Sequence, residues 1–195
     1  MTESVIRKTF ADHAQAIQSL ARSVGLLQRM ADMIIDSLRA GGKVLIFGNG
    51  GSAADAQHIA GELLGRFRRE RPAFPAVALS TDTSTITAIG NDYSFDQIFA
   101  RQVEGLIRPH DVAWGLSTSG NSANVVLALQ AAHDRGAKTL AFTGGDGGNM
   151  AKVADLSLVI SAEHTARIQE AHQLAYHILS DLVESALTRT PPAQK

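Results

Sequence analysis

The stretch Val44 to Glu62, VLIFGNGGSAADAQHIAGE, decides how the chain is read. Its first four residues, Val44 to Phe47, form an apolar run too short for a helix and suited to a strand buried on both faces. Gly48-Asn49-Gly50-Gly51 breaks the run. From Ser52 onward Ala56, Ile59, Ala60, Leu63 and Phe67 recur at helical spacing, and Ser52 with Asp55 has the spacing of a capping box. A strand, a glycine-rich turn and a helix in that order start a βαβ unit. The turn sets backbone N–H groups at a helix N-terminus, a ready anion site, although a plain strand-to-helix turn accounts for it equally well. Neither GxxxxGK[ST] nor GxGxxG is present, which disfavours a nucleoside triphosphate or a dinucleotide.

The same alternation continues outward. Short apolar runs at Ala76 to Leu79, Val112 to Leu116, Thr139 to Phe142 and Leu156 to Ile160 are separated by helix-length segments. Helices are expected at about 53 to 67, 94 to 107, 122 to 135 and 166 to 188. The fold class is therefore α/β, a parallel sheet of five strands sandwiched by helices. Upstream, Ile6, Phe10, Ala14, Ile17, Val24, Leu27, Met30, Met33, Ile34 and Leu38 mark one long or two consecutive amphipathic helices, stopped by Gly41-Gly42. The expected organisation is a single domain over 1–195, with N-terminal helices at 1–40, an α/β core at 41–190 and a tail at 191–195, where two prolines end the helix.

Composition narrows the class. The 195 residues are 45% hydrophobic and 19% charged, enough for one sizeable core and against disorder. Eighteen Lys and Arg against nineteen Asp and Glu leave a net charge of -1, no global field for nucleic acid or an anionic membrane, so an anionic ligand must be held locally. With no cysteine, thiolate chemistry, disulfides and Cys-based metal sites are excluded. The first residues lack an apolar signal core and no stretch is long enough to span a bilayer, so the expected location is the cytoplasm.

Ligands of an open parallel sheet bind beyond the carboxyl ends of its strands. There the loop Ser117-Thr118-Ser119-Gly120-Asn121-Ser122 presents four hydroxyls before a helix, a density suited to a phosphate monoester held without Lys or Arg. Thr143 to Gly148 lacks such donors and reads as a flexible turn. Asn91-Asp92 suits either sugar hydroxyls or a turn, and the arginines at 66, 68, 69 and 71 read as a solvated face. On the helix after Gly51, His58 and Glu62 are neighbours one turn apart, opposite the apolar stripe; on the last helix Gln169 and His177 lie on the polar side. Such residues are either a wet face or a site for a metal or for proton transfer. Eight residues place Gln169 and His177 about 12 Å apart along the axis, so both reach one ion only if the side chains lean together or neighbouring chains share the work. His172, nearer the stripe, reads as packed, and His13, His110, His133 and His164 have no partner at ligand spacing.

GNGGSAADAQHIAGE (48 to 62), TAIGNDYSF (87 to 95), STSGNS (117 to 122) and TARIQEAHQLAYH (165 to 177) together resemble the phosphoheptose isomerases of the sugar isomerase (SIS) domain superfamily, nearly end to end. The resemblance implies a flavodoxin-like five-stranded sheet with an N-terminal helical extension. It further implies a homotetramer with active sites at subunit interfaces, and interconversion of sedoheptulose 7-phosphate and D-glycero-D-manno-heptose 7-phosphate on the way to surface polysaccharide. It assigns substrate contacts to Asn49, Gly50, Gly51, Ser52, Asn91, Asp92, Ser117, Thr118, Ser119, Ser122 and Gln169. One zinc per subunit would sit on His58, Glu62, Gln169 and His177, with Glu62 and His177 as the catalytic pair. Aldose–ketose isomerisation needs a base beside the carbonyl, an acid for the adjacent oxygen and stabilisation of the enediolate between them. Glu62 is the expected base at carbon and His177 the carrier of the oxygen-bound proton, with the reverse assignment open. Two alternatives stand beside this reading: a non-catalytic relative resembling the DnaA initiator-associating protein, and an isomerase of another phosphosugar.

Overall fold

The computed structural model describes residues 2–188; the proline-containing tail lies outside them. Five strands, β1 (Val44–Gly48), β2 (Ala76–Ala78), β3 (Val112–Ser117), β4 (Lys138–Gly144) and β5 (Leu156–Ile160), form one sheet in the order β2-β1-β3-β4-β5. Every pairing is parallel, with Val44 beside Val112 and Val112 beside Lys138. Successive side chains of β1 serve opposite faces, as a period of two requires. Val44 and Ile46 enter a core with Trp114, Phe142 and the helices α1 (Thr2–Leu20), α2 (Val24–Arg39), α3 (Gly51–Leu64) and α8 (Thr165–Thr188). Leu45 and Phe47 enter the other, under α5 (Ala100–Leu106) and α6 (Ala123–Asp134). All five residues of β1 and all six of β3 are buried, which explains their unbroken apolar sequence. Among the described residues no helix is long and apolar enough to cross a membrane.

The strand order reverses between β1 and β3. At such a switch point the loops after the two strands face one crevice, and they are the glycine loop after β1 and the serine loop after β3.

The structure corrects several local expectations. Residues 83–92 are a helix, α4 (Thr83–Asp92), whose start is capped by Asp82: its carboxylate accepts from the Thr85 backbone N–H at 3.0 Å and from the Thr85 hydroxyl at 2.6 Å. Its β-branched, hydroxyl-rich sequence hides it from apolar periodicity. The single helix expected at 94–107 is instead a 3-10 turn (Phe95–Gln97) followed by α5. A one-turn helix, α7 (Met150–Val153), stands between β4 and β5. No capping box opens α3: Gly50 is its N-cap, at φ +55°, and Ser52 is buried inside the first turn.

His172 is packed, as its place on the stripe predicts. It is fully buried on α8 and its Nε2 donates to the Thr143 carbonyl oxygen at 3.0 Å. Burial pulls its pKa from 6.5 down to about 4. The unfolded chain therefore gains a proton below about pH 6.5 that the folded chain refuses, so stability is full above that value and falls as the pH drops toward 4. Chemical denaturation is expected to show a loss on the order of 2 kcal/mol between pH 7 and pH 5 from this group, with a flatter profile for His172→Gln.

Candidate active site and metal centre

The serine loop begins where β3 ends. The Ser117 hydroxyl lies 2.8 Å from that of Ser122 and 3.3 Å from that of Ser119, so three hydroxyls converge at the start of α6. Ser122 is the N-cap residue of α6 yet makes no side-chain cap bond; its hydroxyl turns into the loop. Thr118 is half-buried beside them. Gly120 holds the turn at φ +66°, and a Cβ there would meet the Gly147 carbonyl oxygen at 2.2 Å. The segment read as a flexible turn, Thr143 to Gly148, is thus the wall behind the serine loop. The Met150 N–H donates to the Gly120 carbonyl and the Asn149 N–H to Asn121 Oδ1. Hydroxyls and a helix N-terminus converging without a basic side chain make a nest for a phosphate.

The glycine loop is stitched to α6 by a pair of amides. Asn49 Nδ2 donates to Asn124 Oδ1 and Asn124 Nδ2 to Asn49 Oδ1, both at 2.9 Å, and Asn124 is buried. Asn49, expected against sugar, keeps one amide hydrogen for a ligand. Gly50 and Gly51 start α3, and Gln169 of α8 lies on Gly51 so closely that a Cβ there would meet its Nε2 at 2.3 Å. Asn91 and Asp92 end α4, exposed and bonded to each other at 2.8 Å; no hydrogen bond joins them to either loop among the described residues.

Further along the same two helices, His58, Glu62 and His177 place one potential ligand atom each within 4.8 Å of one another. His58 Nε2 stands 3.0 Å from Glu62 Oε1, and the two imidazoles are 5.1 Å apart. Gln169 stands over Gly51, two turns before His58 on α3 and about 10 Å along the axis, so a role as fourth ligand rests on the side chains leaning together or on neighbouring chains sharing the work. Burial and then the neighbouring His58 hold the His177 pKa below its ordinary value, against the pull of Glu62. A neutral imidazole can serve as base or ligand. Two imidazoles and a carboxylate with an open position are the donor set of a catalytic zinc site, so the residues fit such an ion.

Other partners escaped the sequence reading. Tyr176, fully buried, sets its hydroxyl 3.0 Å from His58 Nδ1. Asp55 lies 3.5 Å beyond that hydroxyl, its pKa raised by burial. Phe67 lies beyond the end of α3 and stacks on the His177 ring at 5.6 Å and 27°. The loop carrying it is fixed by Glu184, 1% exposed, which accepts the backbone N–H groups of Phe67, Arg68 and Arg69 at 2.8 to 2.9 Å. Arg71, read from the sequence as solvated, is 2% exposed: it pairs with Glu184 and donates to the carbonyls of Glu62 and Leu63 at the end of α3. Only a carboxylate compensates so many buried donors.

A family model described as SIS domain matches residues 9–144. The phosphoheptose isomerase of Trichlorobacter lovleyi is 50% identical over 186 residues, 95% of each chain, and that of Aquifex aeolicus is 57% identical over 80% of this chain and 81% of its own. The chain belongs to the phosphoheptose isomerase family. Solved phosphoheptose isomerases share its fold: that of Neisseria gonorrhoeae has a TM-score of 0.90 at 44% identity, covering 95% of this chain and 100% of its own. That of Francisella tularensis has a TM-score of 0.91 at 39%, covering 95% and 99%. Membership makes the chain an isomerase and sets aside the non-catalytic binding platform.

Glu184→Gln leaves Arg71 without its counter-charge and gives the loop amides a weaker, half-donor partner. It is expected to cost about 3 kcal/mol in urea unfolding. Glu163→Gln, at an exposed position, is expected to cost less than about 0.5 kcal/mol.

Proposed function

We propose that the chain interconverts sedoheptulose 7-phosphate and D-glycero-D-manno-heptose 7-phosphate by proton transfer through an enediolate, the first step toward the heptose of surface polysaccharide. The observation that carries this reading is the convergence of Glu62 and His177 with His58, on the helix that leaves the glycine loop and its neighbour. A serine loop shaped for phosphate stands across the switch point.

Ser117, Thr118, Ser119 and Ser122 hold the phosphate and fix the register of the sugar. Asn49, Gly50, Gly51, Ser52 and Gln169 line the path between the two ends, Ser52 through its backbone since its side chain is buried. Asn91 and Asp92, exposed at the end of α4, contact the sugar hydroxyls. Glu62 removes the C1 proton of the ketose and returns it at C2, while His177 carries the proton between O1 and O2; the reverse division is the alternative. His58, Glu62 and His177 would hold the zinc, with Gln169 as the fourth ligand by leaning from Gly51 or by coming from a neighbouring chain. When bound, the ion supplies positive charge that polarises the substrate oxygens. Glu62 is 19% exposed and His58 43%, and Leu174, one turn before His177, is exposed. This exposed face supports a homotetramer with active sites at subunit interfaces, in which a second copy would cover it and limit water around the enediolate.

The test is aldose formation from sedoheptulose 7-phosphate by purified protein, after chelation and again with zinc restored. Activity that zinc restores is expected. Activity indifferent to chelation removes the metal from the reaction, and no activity in either state refutes the substrate assignment. Glu62→Gln is expected to lower kcat about a thousandfold with the oligomer intact by light scattering. Among phosphorylated ketoses of five, six and seven carbons, the seven-carbon sugar is expected to have the highest kcat/KM, and a faster six-carbon sugar would overturn the choice.

A further inference from the structure

Both nitrogens of the His58 ring are engaged: Nε2 faces Glu62 Oε1 and Nδ1 faces the Tyr176 hydroxyl, each at 3.0 Å. A neutral imidazole carries its hydrogen on one nitrogen only, so the partner on one side decides what the other can do. For Nε2 to offer a lone pair beside Glu62 and His177, the hydrogen must sit on Nδ1 and find an acceptor there. Among the described residues that acceptor is the Tyr176 oxygen. Its own hydrogen then points to Asp55 Oδ1 at 3.5 Å, and the other oxygen of Asp55 is buried without a partner. When the hydroxyl rotates it donates to Nδ1 instead, and Nε2–H donates to Glu62. A hydroxyl serves both arrangements because it donates and accepts.

The ring of Tyr176 is held in place. It is fully buried and meets His58 edge-on at 5.2 Å and His177 at 4.8 Å, so the hydroxyl has little freedom to leave Nδ1. We propose that Tyr176 is a positioning residue for the metal centre. Its hydroxyl aims His58 so that Nε2 faces Glu62 and His177, accepts the Nδ1–H bond when a divalent cation takes Nε2, and passes the chain of hydrogen bonds to Asp55. The proposal rests on the reading of His58, Glu62 and His177 as a metal site. Outer partners of this kind are worth 10- to 100-fold in metal affinity.

Tyr176→Phe removes one oxygen and keeps the packed ring. The experiment titrates zinc into metal-free wild type and variant against a chromophoric chelator, records nitrogen-15 spectra of the zinc-loaded imidazoles, and follows thermal unfolding of the metal-free forms. Expected are one zinc per chain in the wild type, a Kd weaker by about 10- to 100-fold in the variant, and a protected His58 Nδ1–H signal that the variant loses. Metal-free melting is expected to change little. A variant that binds zinc within twofold of wild type overturns the role of Tyr176 and leaves the metal site standing. A wild type that binds no zinc overturns the metal site and this inference with it. A variant whose metal-free form no longer melts cooperatively makes the hydroxyl a part of the fold and also overturns the inference.

Discussion

Two helices running side by side in the same direction are the constraint on which the rest of this structure depends. Gln169 covers Gly51, His177 faces His58, and Glu184 binds the loop that begins at Phe67, so residues ascending α3 meet residues ascending α8. Both helices bury stripes rich in alanine, Ala56 and Ala60 on one, Ala171 and Ala175 on the other, and small side chains at a contact let helix axes approach. The polar residues flanking those stripes are then forced together. A strand connection placed elsewhere would leave the same residues as two ordinary wet faces.

The sheet supplies the second half of the site. Strand order 2-1-3-4-5 sets the first crossing to one side and the rest to the other, so the loops after β1 and β3 open onto the same crevice. The Asn49–Asn124 pair locks their separation, and the glycine-rich segment after β4 backs the serine loop. In the proposed mechanism phosphate would be held by the hydroxyls and amide groups of the serine loop, while proton transfer would fall to the carboxylate and imidazoles of α3 and α8. Separating the two tasks would keep a fixed phosphate charge away from the carboxylate proposed as base.

Most of this plan was legible in the sequence because it rests on short-range patterns. Apolar runs marked all five strands, hydroxyl density marked the serine loop, and the i,i+4 spacing of His58 and Glu62 survived as a contact at 3.0 Å. What failed depended on partners far along the chain. Arg71 looks solvated until Glu184, 113 residues later, is folded against it, and Tyr176 carries no local signal until His58 arrives from α3. Phe67 fits a helical period by accident, since α3 ends at Leu64 and the ring reaches His177 from the following loop. The missed helix α4 had a readable signal, Asp82 three residues before Thr85, that apolar periodicity does not weigh.

The central claim is that α3 and α8 together build one metal-dependent site for proton transfer. Zinc-edge anomalous diffraction from crystals of the zinc-loaded protein tests it most directly. The account predicts a single strong peak per chain between His58 Nε2, the Glu62 carboxylate and His177. A peak elsewhere, or none at that position in crystals that hold zinc, would contradict it.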